Sequence, residues 1–257
     1  MHIKKIMLLD LIKVLARDGE VFTFEQAAAK TSIRKDVLRV LLSRLESRGS
    51  IERIEKGKYL IIPLDSSYGE YTLHEFVIGS WLVNPCAISY WSALHWYGMT
   101  EQIPSTVFIQ TTGRKKKQNP EIFGVRYQVI KIKEEKFFGI RKEWIEETAV
   151  PITDREKTII DCLDKPQYAG GILEVDKSLS HKELNFEKLA TYAHRIGNST
   201  VIRRLGYLCD LRGQSINLEP PKTRTYEILD PTMPKTGTPN AKWKLIININ
   251  EFNSRVL

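Results

Sequence analysis

Ser32, Lys35, Asp36, Arg39 and Ser43 follow one another at intervals of one, three and four residues, the spacing that gathers side chains on one face of a helix. On such a face lysine and arginine can meet guanine edges or phosphates in a major groove, and a helix amino terminus itself attracts a phosphate. Arg53, Lys56 and Lys58 come next, on a short hairpin from which they can hold the sugar–phosphate backbone. Another constellation lies further on. Glu134, Glu135 and Lys136 close a strand and Asp154, Glu156 and Asp161 follow, the residue types of a metal-dependent nuclease. Capping and surface ion pairing account for these six residues with fewer assumptions. His95 has no metal-type residue three or four places away and reads as a packed histidine. Cys86, Cys162 and Cys209 are far apart and odd in number, which argues against a disulfide framework or a zinc cluster and for three buried small hydrophobes. No phosphate-binding glycine loop, nucleophile elbow or His-Glu-x-x-His stands in the chain. The expectation is a chain without catalytic residue, cofactor or metal.

The elements around the first cluster are legible. Ile3, Ile6, Met7, Leu9, Ile12, Val14 and Leu15 fall mostly at helical spacing, and Gly19 stops that helix. Thr23 with Gln26 is a capping-box start for a second helix. Ser32 predicts the N-cap of a third, from about Ile33 to Arg48, with Gly49 after it. On its wheel Val37, Leu38, Leu41, Leu42 and Leu45 face a core, Lys35, Asp36, Arg39, Ser43 and Ser47 face away, and Val40 sits at the edge. Residues 50–54 and 58–62 alternate as strands around Glu55-Lys56-Gly57. Helix, helix, turn, helix and a two-stranded wing is the winged helix-turn-helix plan, placed at 1–64.

Pro63 and the stretch from Asp65 to Gly69 mark a boundary. From 70 to 257 the chain reads as a larger mixed domain, so the fold class is α+β. Thr72 with Glu75 starts a short helix broken at Asn84-Pro85, and an aromatic helix runs from Ser89 to Tyr97. Strands follow at 106–110, 125–132 and 147–150. Thr153 and Glu156 cap a helix reaching Leu163, and further helices run from 186 to 196 and from 201 to 211, with a last strand at 243–249. Arg114-Lys115-Lys116-Lys117 lies in a turn-rich loop, either a phosphate contact or a solvated tip.

Charge points the same way. The net charge is +8. Residues 1–64 hold thirteen basic and eight acidic side chains, residues 65–152 ten of each, and residues 153–257 sixteen basic and thirteen acidic, so a basic first quarter on a neutral middle suggests a polyanion partner at the amino end. No apolar run approaches the roughly 20 residues of a membrane span, and the amphipathic start differs from a signal peptide, so a cytoplasmic protein without membrane contact is expected.

The winged helix, followed by the run from Tyr90-Trp91-Ser92-Ala93-Leu94-His95 to Ile103-Pro104 and by Val150-Pro151-Ile152-Thr153-Asp154-Arg155-Glu156-Lys157-Thr158-Ile159-Ile160-Asp161, resembles the AbiEi-type antitoxin family. Ala169-Gly170-Gly171 and Ile202-Arg203-Arg204-Leu205-Gly206 fit the same pattern. The resemblance implies an autorepressor of a type IV toxin–antitoxin or antiviral defence operon, with double-stranded operator DNA held by the amino-terminal domain and cooperative or homodimeric association on it. It also implies that the second domain counters a nucleotidyltransferase-like toxin, commonly without a tight complex. The rivals are the metal-dependent nuclease and a winged helix that binds protein instead of DNA.

Overall fold

The computed structural model describes residues 2–62, 73–115 and 118–253. The boundary expected at Pro63 to Gly69, Thr72 of the expected capping box, and Lys116 and Lys117 lie outside them. So do the side chains of Ile3, Ile6 and Met7. The chain divides into two compact units, one of residues 1–82 and 144–149, the other of 83–143 and 150–257.

The first unit opens with α1 (His2–Leu15) and a 3-10 turn that ends at Gly19, whose φ of 120° favours glycine. Strand β1 (Val21–Thr23) then leads into α2 (Phe24–Thr31). Thr23 and Gln26 close a reciprocal capping box, Gln26 N–H donating to Thr23 Oγ1 at 3.1 Å and Thr23 N–H to Gln26 Oε1 at 2.7 Å. Next come α3 (Lys35–Glu46), β2 (Ile51–Glu55), β3 (Lys58–Ile61) and α4 (Glu75–Leu82). The sheet order is β1-β3-β2, all antiparallel. Leu8, Leu11, Leu15, Leu38, Leu41, Leu42 and Leu45 close one core against Phe22, Ile51 and Tyr59.

Further along the chain, β4 (Ala87–Ile88) precedes α5 (Tyr90–Trp96), β5 (Thr106–Thr111), β6 (Glu121–Ile122), β7 (Val125–Lys131), β8 (Ile140–Ile145) and β9 (Thr148–Thr153). These strands form a six-stranded mixed sheet in the order β6-β7-β5-β4-β9-β8. The helices α6 (Arg155–Asp164), α7 (Ile172–Ser178), α8 (Phe186–Arg195) and α9 (Ser199–Leu211) follow. A small sheet of β10 (Glu227–Ile228), β11 (Thr238–Asn240) and β12 (Leu245–Ile247) and a short α10 (Asn250–Asn253) close the described chain. Ile159, Ile160, Leu163, Val175, Leu189, Leu205 and Leu208 form the buried centre.

The structure corrects several expectations. Ser32 is in the left-handed region and closes α2; α3 starts after Arg34, which offers no side-chain cap. Val37 is exposed, not in the core. The N-cap of α6 is Asp154, whose carboxylate accepts from Lys157 N–H at 2.8 Å, not Thr153. His95 is exposed at the end of α5, and Cys86 is only half-buried. Glu134 to Lys136 form a 3-10 turn just past β7 instead of closing a strand.

Candidate nucleic-acid interface

The site is built on α3. Its apolar stripe locks the helix to the core, so the opposite face is left to solvent, and Lys35, Asp36, Arg39, Ser43 and Ser47 are all exposed there. Ser32, also exposed, sits in the turn ahead of the helix. The charges on this face are loosely engaged. Lys35 Nζ lies 2.9 Å from Glu25 Oε2, and an Arg34 guanidinium nitrogen lies 2.8 Å from Asp36 Oδ2, all four side chains more than half exposed. Exposed pairs of this kind contribute about 0–1 kcal/mol, so a phosphate can take the cation at little cost. The Arg39 guanidinium carbon lies 5.2 Å from the centre of the Phe24 ring, a contact that holds the charge on this exposed face.

The wing divides. Lys56 is exposed at the hairpin tip, and Arg53 is held by Glu46 at 2.9 Å and by the Tyr59 ring at 5.5 Å. Lys58 is turned elsewhere. Its ammonium donates to the carbonyls of Trp81 and, at 3.3 Å, Leu82, and lies 3.4 Å from Glu55. Those carbonyls stand in the last turn of α4, so the lysine caps its carboxyl end. Sequence reasoning missed this role because the acceptors stand more than twenty residues downstream.

In the second unit the acidic residues considered for metal chemistry are engaged by lysines or lie in water. Asp154 and Glu156 share Lys188, at 3.0 and 2.7 Å, and Glu156 also accepts from Asn185 N–H at 3.0 Å. Burial alone would raise the Glu156 pKa, but these hydrogen bonds outweigh it and hold the carboxyl below its ordinary value. Asp161 pairs with the fully buried Lys157 and accepts from Ser89 Oγ at 3.0 Å. Lys136 pairs instead with Asp164 at 2.8 Å, while Glu134 and Glu135 are exposed. Among the described residues no cluster of histidine, cysteine and carboxylates is arranged to hold a metal ion. Nor is any helix long and apolar enough to cross a membrane.

The glycines and arginines of the later motifs have structural work. Arg204 donates to the carbonyls of Leu163, Leu229 and Ile228 at 2.7, 2.8 and 3.1 Å, tying the small sheet to α6. Gly206 lies flat against Trp243, where a Cβ would sit 2.1 Å from the ring.

Residues 10–62 match the AbiEi antitoxin family of transcriptional regulators. The matched segment spans α1 from Asp10, α2, α3 and the wing, the part of the chain that carries the contacts expected of the helix face and the hairpin. The fold of nearly the whole chain is also similar to the crystal structure of the RV2827C protein from Mycobacterium tuberculosis. That similarity has a TM-score of 0.64 and 15% identity, covering 97% of this chain and 92% of the other. No curated protein matches by sequence.

Proposed function

We propose that the first unit binds double-stranded operator DNA and represses its own operon, with α3 in the major groove and Lys56 and Arg53 along the backbone. The observation that carries this reading is the exposed basic and polar face of α3 inside the segment that matches the AbiEi regulators. Lys35 and Arg39 serve as base or phosphate contacts, and Ser32, Asp36 and Ser43 as their polar neighbours. Two copies associate on the operator. The second unit supplies the antitoxin activity against a nucleotidyltransferase-like toxin, and the protein works in the cytoplasm without membrane contact.

Titrating the full chain against duplex from upstream of its own gene, over a series of salt concentrations, tests the first half. Binding that weakens steeply with salt and prefers that duplex over a scrambled one supports it. A winged helix that serves only protein contacts would give no salt-dependent binding at all. Co-expressing residues 83–257 with the toxin tests the second half. Rescue by that fragment supports a separate antitoxin unit, whereas rescue by the full chain alone means that protection works through repression.

A further inference from the structure

Resting on the DNA-binding reading, we propose that Val40, with Val37 beside it, reads the C5-methyl group of thymine in the major groove and so sets the sequence preference of the first unit. Among the described side chains from Leu8 to Ile62, the large apolar groups left exposed are Val37 at 38% and Val40 at 50%, and both stand on α3. Helical spacing puts Val40 among Asp36, Ser43, Arg44 and Ser47, on the face opposite Leu38, Leu41, Leu42 and Leu45.

The fold gains little from these valines. A β-branched residue is a weaker helix former than leucine, lysine or alanine, and at half exposure much of the benefit of burial is forgone. A local choice that serves neither helix nor core is expected where a functional contact is made. The chemistry of the groove supplies that contact, because the thymine methyl is the apolar group that base edges present there. Valine has no hydrogen-bonding atom and cannot read adenine, guanine or cytosine edges. Arg39, Ser43 and Asp36 around it can. The preferred site therefore sets a thymine beside the base pairs that the polar side chains read.

The test starts with selection from a random duplex library by the full-length chain. Each thymine of the selected sequence is then replaced in turn by deoxyuridine, which removes only the methyl. At one or two positions the replacement should weaken wild-type binding about fourfold, the factor for burying one methyl-sized group. The V40S variant, with unchanged melting temperature, should bind the thymine and deoxyuridine duplexes alike. A penalty that persists in V40S, or no sensitive position in the wild type, overturns the inference. Salt-dependent duplex binding without methyl sensitivity overturns it while leaving the DNA-binding reading in place. Absence of any duplex binding overturns both and makes the valine pair a protein-docking face.

Discussion

Replacing Lys58 by methionine should loosen the first unit without altering how DNA binding responds to salt, whereas replacing Lys56 by alanine should do the reverse. The two lysines stand two residues apart on the wing, but Lys58 is engaged by the last carbonyls of α4 and by Glu55, while Lys56 is exposed at the tip. Methionine preserves the stem of Lys58 and removes only the donor. A hydrogen bond from a charged donor contributes about 1.5–3 kcal/mol. Lys58 is a quarter exposed, so water replaces part of that, and a loss of about 1–2 kcal/mol follows. Losing one phosphate contact at Lys56 should flatten the slope of log affinity against log salt by about 0.9. Between 50 and 200 mM salt the wild type would then lose about three- to fourfold more affinity than the variant. Denaturant unfolding of the full chain reads the first effect, and fluorescence anisotropy on a labelled duplex over a salt series reads the second. A Lys58→Met protein of wild-type stability with a flattened slope would refute the assignment, as would a Lys56→Ala protein whose slope is unchanged.

Changing Lys35 and Arg39 together to alanine should weaken duplex binding while shifting stability by no more than about 0.5 kcal/mol at each exposed site, whereas Leu41→Ala should cost about 2–5 kcal/mol; calorimetry beside a binding titration separates the two effects. Lys157→Met should destabilise by about 3–5 kcal/mol near neutral pH, because it leaves the buried Asp161 carboxylate with only Ser89. Burial already raises the Asp161 pKa against the opposing pull of Lys157, and the variant raises it further. A carboxyl whose folded pKa lies above its unfolded value adds stability as pH falls through the folded value, so the gap between variant and wild type should narrow in acid; a gap independent of pH in urea titrations would count against the pairing. Gly206→Ala drives a methyl into the rigid Trp243 ring and should cost about 1–3 kcal/mol, visible as a lower midpoint of tryptophan-fluorescence unfolding.

The helix-turn-helix was legible because its signals are local. Thr23 and Gln26 announce the start of α2, and the leucines of α3 repeat at the spacing that buries one stripe. Val37 was misplaced because it stands at the margin of that stripe, where the angle around the helix does not decide burial. The closing of α2 displaced Ser32 from its expected role, since a residue between two helices can end one as well as begin the other. Strand β1, three residues long, owes its existence to pairing with β3 across more than thirty residues, and nothing in Val21-Phe22-Thr23 alone demands it. β8 was hidden for a related reason. Its Arg141-Lys142-Glu143 segment is too charged to read as a strand without the neighbour that holds it. The polar face of α3 was thus visible in the sequence, but the diversion of Lys58 was not.

Charge is used in opposite ways in the two units, and this bears on how labour is divided between them. On α3 the ion pairs are exposed, so each is weak and exchangeable, and an incoming phosphate displaces a glutamate or aspartate at little cost. Around α6 the pairs are buried or nearly so, with Lys157 fully enclosed and Asp154, Glu156 and Asp161 each bound to a lysine. Breaking such a pair would leave a charge in a medium that solvates it poorly, and a polyanion outside offers no compensation. Around α6 the second unit therefore uses its ionic residues to fix its own structure, whereas the exposed charges along α3 remain available to a partner.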